Sequence, residues 1–348
     1  MSVRQPSRRT LFLTSSYPRF AGDFGGHFVR SHARAECEGA RSVRVLAFGD
    51  SPLSDAAART ELDPGIEVAW LGGGDLFGAP GVLPRLAERR SRLALLLGPL
   101  LRALSVLRER ERYDRVVAHF LLLTGWPLGV WFSQRPRRAK AASLEVVAHG
   151  SDVRLFEKLP GWLRRRIAGD FLAQGASLRF VSEELRERMA AAAGSPELSR
   201  YVAAQAIAAM PLDLPVLPSR EEARRGFSIA AEETVVVLVG RLTRGKRVDV
   251  ALGAAALLPA ARIVVVGDGP EASCLRQLHP RVTFVGEAER AQALAWIRAA
   301  DLLLSASRLE GAPTAIREAR CLGVPVVTTA AGDLAKWARR DLDLWVVD

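Results

Sequence analysis

Residues 299–333 read AADLLLSASRLEGAPTAIREARCLGVPVVTTAAGD. The leucines at 302–304 make a short apolar strand that ends in small residues. A loop with Gly311 and Pro313 follows, then a helical run over 314–322, Gly323 as a stop, and a second strand over 324–328. Strand, loop, helix, strand is the repeating unit of a parallel α/β sheet. Glu310 falls in the loop at the carboxyl end of the first strand, and Glu318 lies on the helix behind it, with seven residues between them. In open α/β sheets ligands bind outside that edge. By spacing alone, ordinary surface glutamates remain the simpler reading of the two.

The same unit recurs upstream. Residues 234–239, Thr-Val-Val-Val-Leu-Val, form a strand apolar nearly throughout, as expected where both faces of a sheet are covered. Gly-Arg-Leu-Thr-Arg-Gly-Lys-Arg follows, and a helix opens at Val248. Arg241 and Lys246 stand five apart across that turn. Such a pair can clamp a diphosphate, arginine as a planar fork and lysine as a point charge. Charge pattern alone favours a solvated basic loop. The strand over 261–266 leads into Gly267-Asp268-Gly269-Pro270-Glu271-Ala272, which approximates G-x-G-x-x-A. A dinucleotide fingerprint should open the first βα unit of its domain, and this one opens the second, so a nicotinamide site is rejected. A further strand over 282–285 runs into Gly286.

The first half has the same rhythm. Leu11-Phe12-Leu13-Thr14 is a strand, followed by Ser15-Ser16-Tyr17-Pro18 and by Ala21-Gly22-Asp23-Phe24-Gly25-Gly26-His27 at the start of a helix. Glycine lets a backbone approach a ligand closely, and a helix N-terminus favours anions. Strands are expected over 43–48 and 67–71, with a flexible glycine-rich loop over 72–81. Residues 83–112 form a long helical tract, kinked or split at Gly98-Pro99, with arginines around a leucine stripe. A leucine stripe packed on a core explains that pattern first. The other reading is a basic amphipathic helix lying on an acidic membrane surface. Strands over 113–120 and 144–148 end at His119 and at His149-Gly150-Ser151-Asp152. A lone histidine such as His119 is more often a packed residue. No Ser/His/Asp triad is supported, because Ser151 and Asp152 adjoin His149 and triads are assembled from separated segments. Residues 178–181 read as a strand, with Ser182 capping the next helix. Residues 210–218 are rich in proline and mark a domain boundary, giving domains 1–212 and 213–348.

The chain has 348 residues, a hydrophobic fraction of 49% and a formal charge of +11. That length suits two domains, and that charge points to an anionic partner. Part of the excess is compositional, since arginine replaces lysine nearly everywhere. Three dispersed cysteines show no metal spacing and fit reduced thiols in a cytoplasmic protein. Arg8-Arg9 precede too short an apolar run for a secretory signal, and no apolar stretch is long enough to span a bilayer. Nucleic-acid binding lacks any helix-turn-helix, zinc or aromatic RNA motif.

Taken together, these motifs resemble the retaining glycosyltransferases of the GT-B fold, family 4, from residue 11 to the end of the chain. Residues 310–318 are similar to the family's E-x7-E signature. Gly240-Arg241-Leu242 with Lys246 resembles its donor-diphosphate motif, and His149-Gly150-Ser151-Asp152 its H-G-x-D segment. Gly25-Gly26 match its glycine pair, and Asp213 matches the aspartate of its hinge.

The resemblance implies an α/β protein of two Rossmann-like domains facing across a cleft. The N-terminal domain would lie on the acceptor side, and the C-terminal domain would hold a nucleotide-sugar donor. It implies transfer of a sugar, with retained anomeric configuration, to a glycan, lipid-linked or small-molecule acceptor. Arg241 and Lys246 would stabilise the departing diphosphate, with amides near Gly25 and Gly26 adding to that. The phosphate itself would take the acceptor proton. Glu310 would bind donor-sugar hydroxyls and Glu318 the ribose hydroxyls. Gly311, Ala312, Pro313 and Thr314 would complete the cradle with backbone amides. His149 would hydrogen-bond a hydroxyl or phosphate. No metal or cofactor is expected, and Asp341-Leu342-Asp343 is the one D-x-D spacing noted, at the chain's tail. The protein is expected in the cytoplasm, with the membrane reading placing it peripherally on the inner face.

Two departures accompany the resemblance. Residues 331–335, Ala-Gly-Asp-Leu-Ala, diverge from the family's segment there, and the chain stops at Asp348, short of the family's last helices. A nucleotide-sugar 2-epimerase of the same fold and a non-catalytic nucleotide-sugar or glycan-binding protein stand as the alternatives.

Overall fold

A computed structural model describes residues 9–20, 23, 25–39, 42–49, 63–77, 97–107, 113–134 and 142–347. The chain forms two compact units, Met1–Pro211 and Leu212–Asp348.

The first unit is built on strands β1 (Arg9–Thr14), β2 (Ser42–Ala47), β3 (Ile66–Trp70) and β4 (Arg115–His119). The two-residue strands β5 (Leu122–Leu123) and β6 (Trp126–Pro127) pair only with each other. Strands β7 (Ser143–Ala148), β8 (Ser177–Phe180) and β9 (Ala206–Ile207) complete the main sheet. Its order is β3-β2-β1-β4-β7-β8-β9, and every neighbouring pair is parallel. Phe12, Leu13, Val116, Val117, Ala118, Val146 and Val147 are buried, which explains why β1, β4 and β7 are apolar nearly throughout.

The second unit holds β10 (Val235–Val239), β11 (Arg262–Val266), β12 (Thr283–Gly286), β13 (Leu302–Ser305), β14 (Val326–Thr329) and β15 (Leu344–Val347). Their order is β12-β11-β10-β13-β14-β15, again all parallel. Counted within the unit this is 3-2-1-4-5-6, the doubly wound Rossmann order. The alternating side chains of β10 separate two cores. Val235 and Val237 join one with Leu303 and Val326, while Val236 and Leu238 join the other with Val265 and Leu252.

Local chemistry sets the element ends. Ser182 accepts from the amide of Leu185 and caps the helix Glu183–Ala192. Ser219 and Glu222 form a reciprocal capping box on Arg220–Gly226. Gly323 has φ 70 after the helix Thr314–Cys321, a left-handed stop that glycine adopts without strain. The strand expected from residue 324 begins at Val326, because the amide of Val324 is still spent on the helix carbonyl of Ala319.

Gly98 and Pro99 lie at the start of the described part of this tract, the helix Leu97–Leu107. Residues 83–96 and 108–112 of that tract lie outside the described residues. In the glycine-rich segment over 72–81, Gly72 bridges to Gly49 and Gly74–Phe77 form a 3-10 turn. Residues 78–81 also lie outside the described residues.

Candidate functional site

Both units reverse their winding at the first strand. In the second unit the reversal falls between β10 and β13, whose carboxyl ends carry the loops over 240–246 and 306–313. Those loops are tied together, since the amide of Arg308 donates to the carbonyl of Gly245 at 2.9 Å. The tight path past β10 demands glycine. Gly267 has φ +134, and a Cβ there would lie 2.0 Å from the carbonyl oxygen of Gly240.

Lys246 closes the 3-10 turn Arg244–Lys246 and reaches the buried Glu310, Nζ to Oε1 at 2.5 Å. The residues singled out as a diphosphate cation and a hydroxyl ligand are therefore partners in this structure, though 64 positions apart. Arg241 is half-buried just past the end of β10. Gly311, Ala312 and Pro313 lead into the helix Thr314–Cys321. The first-turn amides of a helix have no intrahelical acceptor, which makes that end receptive to oxygen ligands.

Glu318 is buried on the same helix and pairs with Arg290, Oε1 to Nη2 at 2.9 Å. Burial pushes its carboxyl pKa up, and Arg290 opposes that shift. Arg290 also donates through Nη1 to the carbonyl of Asp213 at 2.5 Å. Arg290 was not among the residues picked out from the sequence. It opens a helix, Arg290–Ala299, in a chain rich in arginine, so its type carried no signal.

In the first unit the reversal falls between β1 and β4. Gly26 has φ 73 at the start of the helix His27–Glu38, and a Cβ there would lie 2.4 Å from the carbonyl oxygen of Ser16. Asp23 shapes the approach. Its Oδ1 accepts from the amide of Gly25 at 2.8 Å, and its Oδ2 accepts from the amide of Arg19 at 3.0 Å.

His149 follows β7, and Asp152 fixes its backbone. The buried carboxylate of Asp152 accepts amide hydrogens from Leu121, His149, Gly150 and Val153 at 2.8–3.1 Å. It ties the ends of β4 and β7 together. Burial raises the pKa of Asp152, and hydrogen bonds from the amides of Leu121, Gly150 and Val153 and from its own amide work against that rise. The Nε2 of His149 meets Nδ1 of His119 at 2.9 Å, and Nε2 of His119 meets Nδ1 of His32 at 3.1 Å. His119, a weak candidate in the sequence, thus joins His149, while His32 had not been singled out. Burial lowers the pKa of all three rings, to about 3 for His32 and His149.

A cavity of about 460 Å³ elsewhere in this unit is lined by Trp126, Trp131, Arg166 and Asp170 among others, and by none of these residues. Among the described residues no cluster of His, Cys, Asp and Glu could hold a metal ion, and no helix is long and apolar enough to cross a membrane.

Residues 233–348 match the family described as glycosyl transferases group 1. TuaC of Bacillus subtilis, a protein named for teichuronic acid biosynthesis and glycosyl transfer, is 28% identical over 246 residues, 67% of this chain and 57% of its own length. The D-inositol 3-phosphate glycosyltransferase of Mycolicibacterium smegmatis is 36% identical over 135 residues, 35% of this chain and 31% of its own. The chain therefore spans less than two thirds of the length of either relative. Among solved structures, Anabaena Alr3699/HepE in complex with UDP and glucose aligns with TM-score 0.65 at 20% identity, over 98% of this chain and 85% of its own. The sucrose-phosphate synthase of Thermosynechococcus elongatus gives TM-score 0.64 at 18% identity, over 98% of this chain and 86% of its own. These likenesses establish the fold as GT-B.

Proposed function

We propose that this protein is a retaining, metal-independent glycosyltransferase of family 4 that moves a sugar from a nucleoside-diphosphate sugar to a hydroxyl acceptor. The Lys246–Glu310 ion pair at the winding reversal of the second unit carries the reading. A cation and a carboxylate held in contact at that edge are the two groups needed to receive a diphosphate and the sugar attached to it. The group 1 match over the same unit and the UDP and glucose bound by HepE support this reading.

An arriving diphosphate competes for Lys246 and releases the Glu310 carboxylate to accept hydrogen bonds from sugar hydroxyls. Arg241 grips phosphate oxygens as a fork, and with Lys246 it stabilises the charge that builds as the diphosphate departs. Glu318, oriented by Arg290, accepts from the ribose hydroxyls. The amides over 311–314 complete the cradle. Gly25 and Gly26 of the first unit offer backbone to a phosphate oxygen, and His149 offers a ring nitrogen to a hydroxyl. The leaving phosphate takes the proton of the attacking hydroxyl, so no separate general base is required. The acceptor is a glycan or lipid-linked sugar, in keeping with the relative named for teichuronic acid biosynthesis. The surplus of cations suits work at an acidic membrane surface from the cytoplasmic side, and co-sedimentation with acidic against neutral vesicles tests that part.

A screen of uridine- and guanosine-diphosphate sugars by calorimetry, followed by product analysis, tests the function. One donor is expected to bind, and free nucleoside diphosphate should accumulate only with an acceptor present. An epimerised donor formed without acceptor, or tight donor binding without turnover on any acceptor, would overturn the assignment.

A further inference from the structure

The three histidines of the first unit stand in one row across three elements. His32 lies on the helix His27–Glu38, His119 ends β4, and His149 follows β7. Their contacts run head to tail, His32 Nδ1 to His119 Nε2 at 3.1 Å and His119 Nδ1 to His149 Nε2 at 2.9 Å. The rings of His119 and His149 lie within 12° of parallel. Phe12 flanks His32 and His119, and Phe28 and Phe120 flank His149. His119 is wholly buried and His32 nearly so.

A neutral imidazole carries one N–H and one lone pair. The middle ring spends both of its nitrogens on its neighbours. If His119 carries its proton on Nε2, it donates to His32 Nδ1, and its own Nδ1 must accept from His149 Nε2. All three rings are then Nε2–H. If His119 carries its proton on Nδ1, all three are Nδ1–H. Any mixed row sets two lone pairs or two N–H groups against each other in a buried site, where an unmade hydrogen bond is costly. The tautomers therefore change together or not at all. Charged rows are suppressed by the same burial, and Arg179 on β8 and Arg115 on β4 add to that at His32. The acidic groups nearby are already engaged, Glu145 on β7 with Arg115 and Arg179, and Glu36 with Arg115. Between the two neutral rows, Nε2–H is the form that the histidine side chain prefers in water, and three rings compound the preference.

We propose that His32 and His119 are positioning residues that lock His149 in its Nε2–H tautomer, so that Nδ1 of His149 presents a lone pair and selects a ligand hydroxyl over a phosphate or carboxylate oxygen. A hydroxyl can donate to that lone pair, whereas an anionic oxygen has no hydrogen to give and is repelled. The tautomer lock stands on this row alone. That the hydroxyl belongs to a sugar or acceptor rests on the glycosyltransferase reading.

The test uses the full chain labelled with ¹⁵N-histidine. It carries only five histidines, His27, His32, His119, His149 and His279, so their ring nitrogens can be assigned by single substitutions. Long-range proton–nitrogen correlation at neutral pH is expected to show Nε2–H for all three rings of the row, with hydrogen-bonded N–H signals on His119 and His149. An Nδ1–H or mixed row in the wild type would overturn the lock without any reference to activity. In His119→Phe, which keeps an aromatic ring but no ring nitrogen, His149 is expected to relax to a mixture of tautomers. The same variant should lose at least tenfold in kcat/KM at unchanged affinity for free nucleoside diphosphate. His119→Asn, whose side-chain oxygen can still accept from His149 Nε2, should recover part of that loss, and His32→Phe should show a smaller one. Full activity in a folded His119→Phe would refute the positioning role. A chain that binds no nucleotide sugar would leave the NMR result intact and would instead remove the glycosyltransferase reading.

Discussion

The two units wind their sheets in the same order and place their polar groups at the same edge, yet the two sets of groups are electrical opposites. At the edge of the second unit two ion pairs stand, Lys246 with Glu310 and Arg290 with Glu318. At the edge of the first unit three histidines are held neutral by burial, with an aromatic sheath around them. Strand order therefore places each polar cluster at the same edge of its sheet and leaves open what chemistry it has. A charged edge suits a dianionic donor, whose arrival exchanges one counter-ion for another. A neutral edge suits hydroxyls, which need direction more than charge.

The largest effect expected from this contrast lies in the charged edge. Arg241→Ala should lower turnover by about 10²–10³, the usual cost of removing one preorganised charge-stabilising donor, while the circular dichroism stays native. Near-normal turnover would break the assignment of the charged edge to chemistry.

Acid should separate the units next. The rings of His32 and His149 have folded-state pKa values of about 3, below the ordinary histidine value of about 6.5. Below pH ~6.5 the unfolded chain binds protons that the folded unit refuses, so stability falls as pH drops from about 6.5 towards 3. Asp152 acts in the opposite sense, because its raised pKa favours the folded form as pH falls, and it offsets part of the loss. Between pH 7.5 and 5 the net loss in the first unit should be on the order of a few kcal/mol. Hydrogen exchange read separately on peptides from each unit should show 9–211 opening first. If both units loosen equally, the neutrality of the histidine row is not what distinguishes them.

Backbone substitutions probe the loops that follow the first strand of each unit. Gly26→Ala should cost about 1–3 kcal/mol, because φ is 73 and the Cβ would collide with Ser16. Gly245 has open space at its Cβ position, so Gly245→Ala should leave thermal stability nearly unchanged. Among the effects on ligand binding the smallest is expected from Glu318→Ala, about tenfold weaker nucleotide binding by calorimetry, equivalent to ~1.4 kcal/mol. Unchanged affinity would sink the ribose role and leave Glu318 as the counter-ion of Arg290 alone.

Much of the architecture could be read from local pattern. The apolar runs of β1, β4, β7, β10, β11 and β13 each stand out because both faces of each sheet are covered. Ser182 announced a helix cap, and Gly25-Gly26 announced a turn that only glycine fits at Gly26. Glu310 and Glu318 could be placed, one in the loop after a strand and one on the helix behind it, because those elements lie next to one another in sequence, and only the resemblance gave them a role. Their partners could not be identified, since Lys246 is 64 positions from Glu310 and Arg290 is 28 from Glu318. Asp152 read as part of a motif and proved to be the anchor that joins two strand ends. His32 gave no signal at all, being one histidine on a helix 87 positions from its partner.

The sequence by itself determined where the longer strands fall, because those depend on side-chain periodicity and on neighbours a few residues away, whereas the two-residue strands β5, β6 and β9 carry no such pattern. Only the tertiary structure decided which strand ends meet. Parallel strands cannot be joined by short turns, so neighbours in the sheet come from distant segments, and groups such as Lys246 with Glu310 or His32 with His119 and His149 acquire their chemistry only when the sheet is wound.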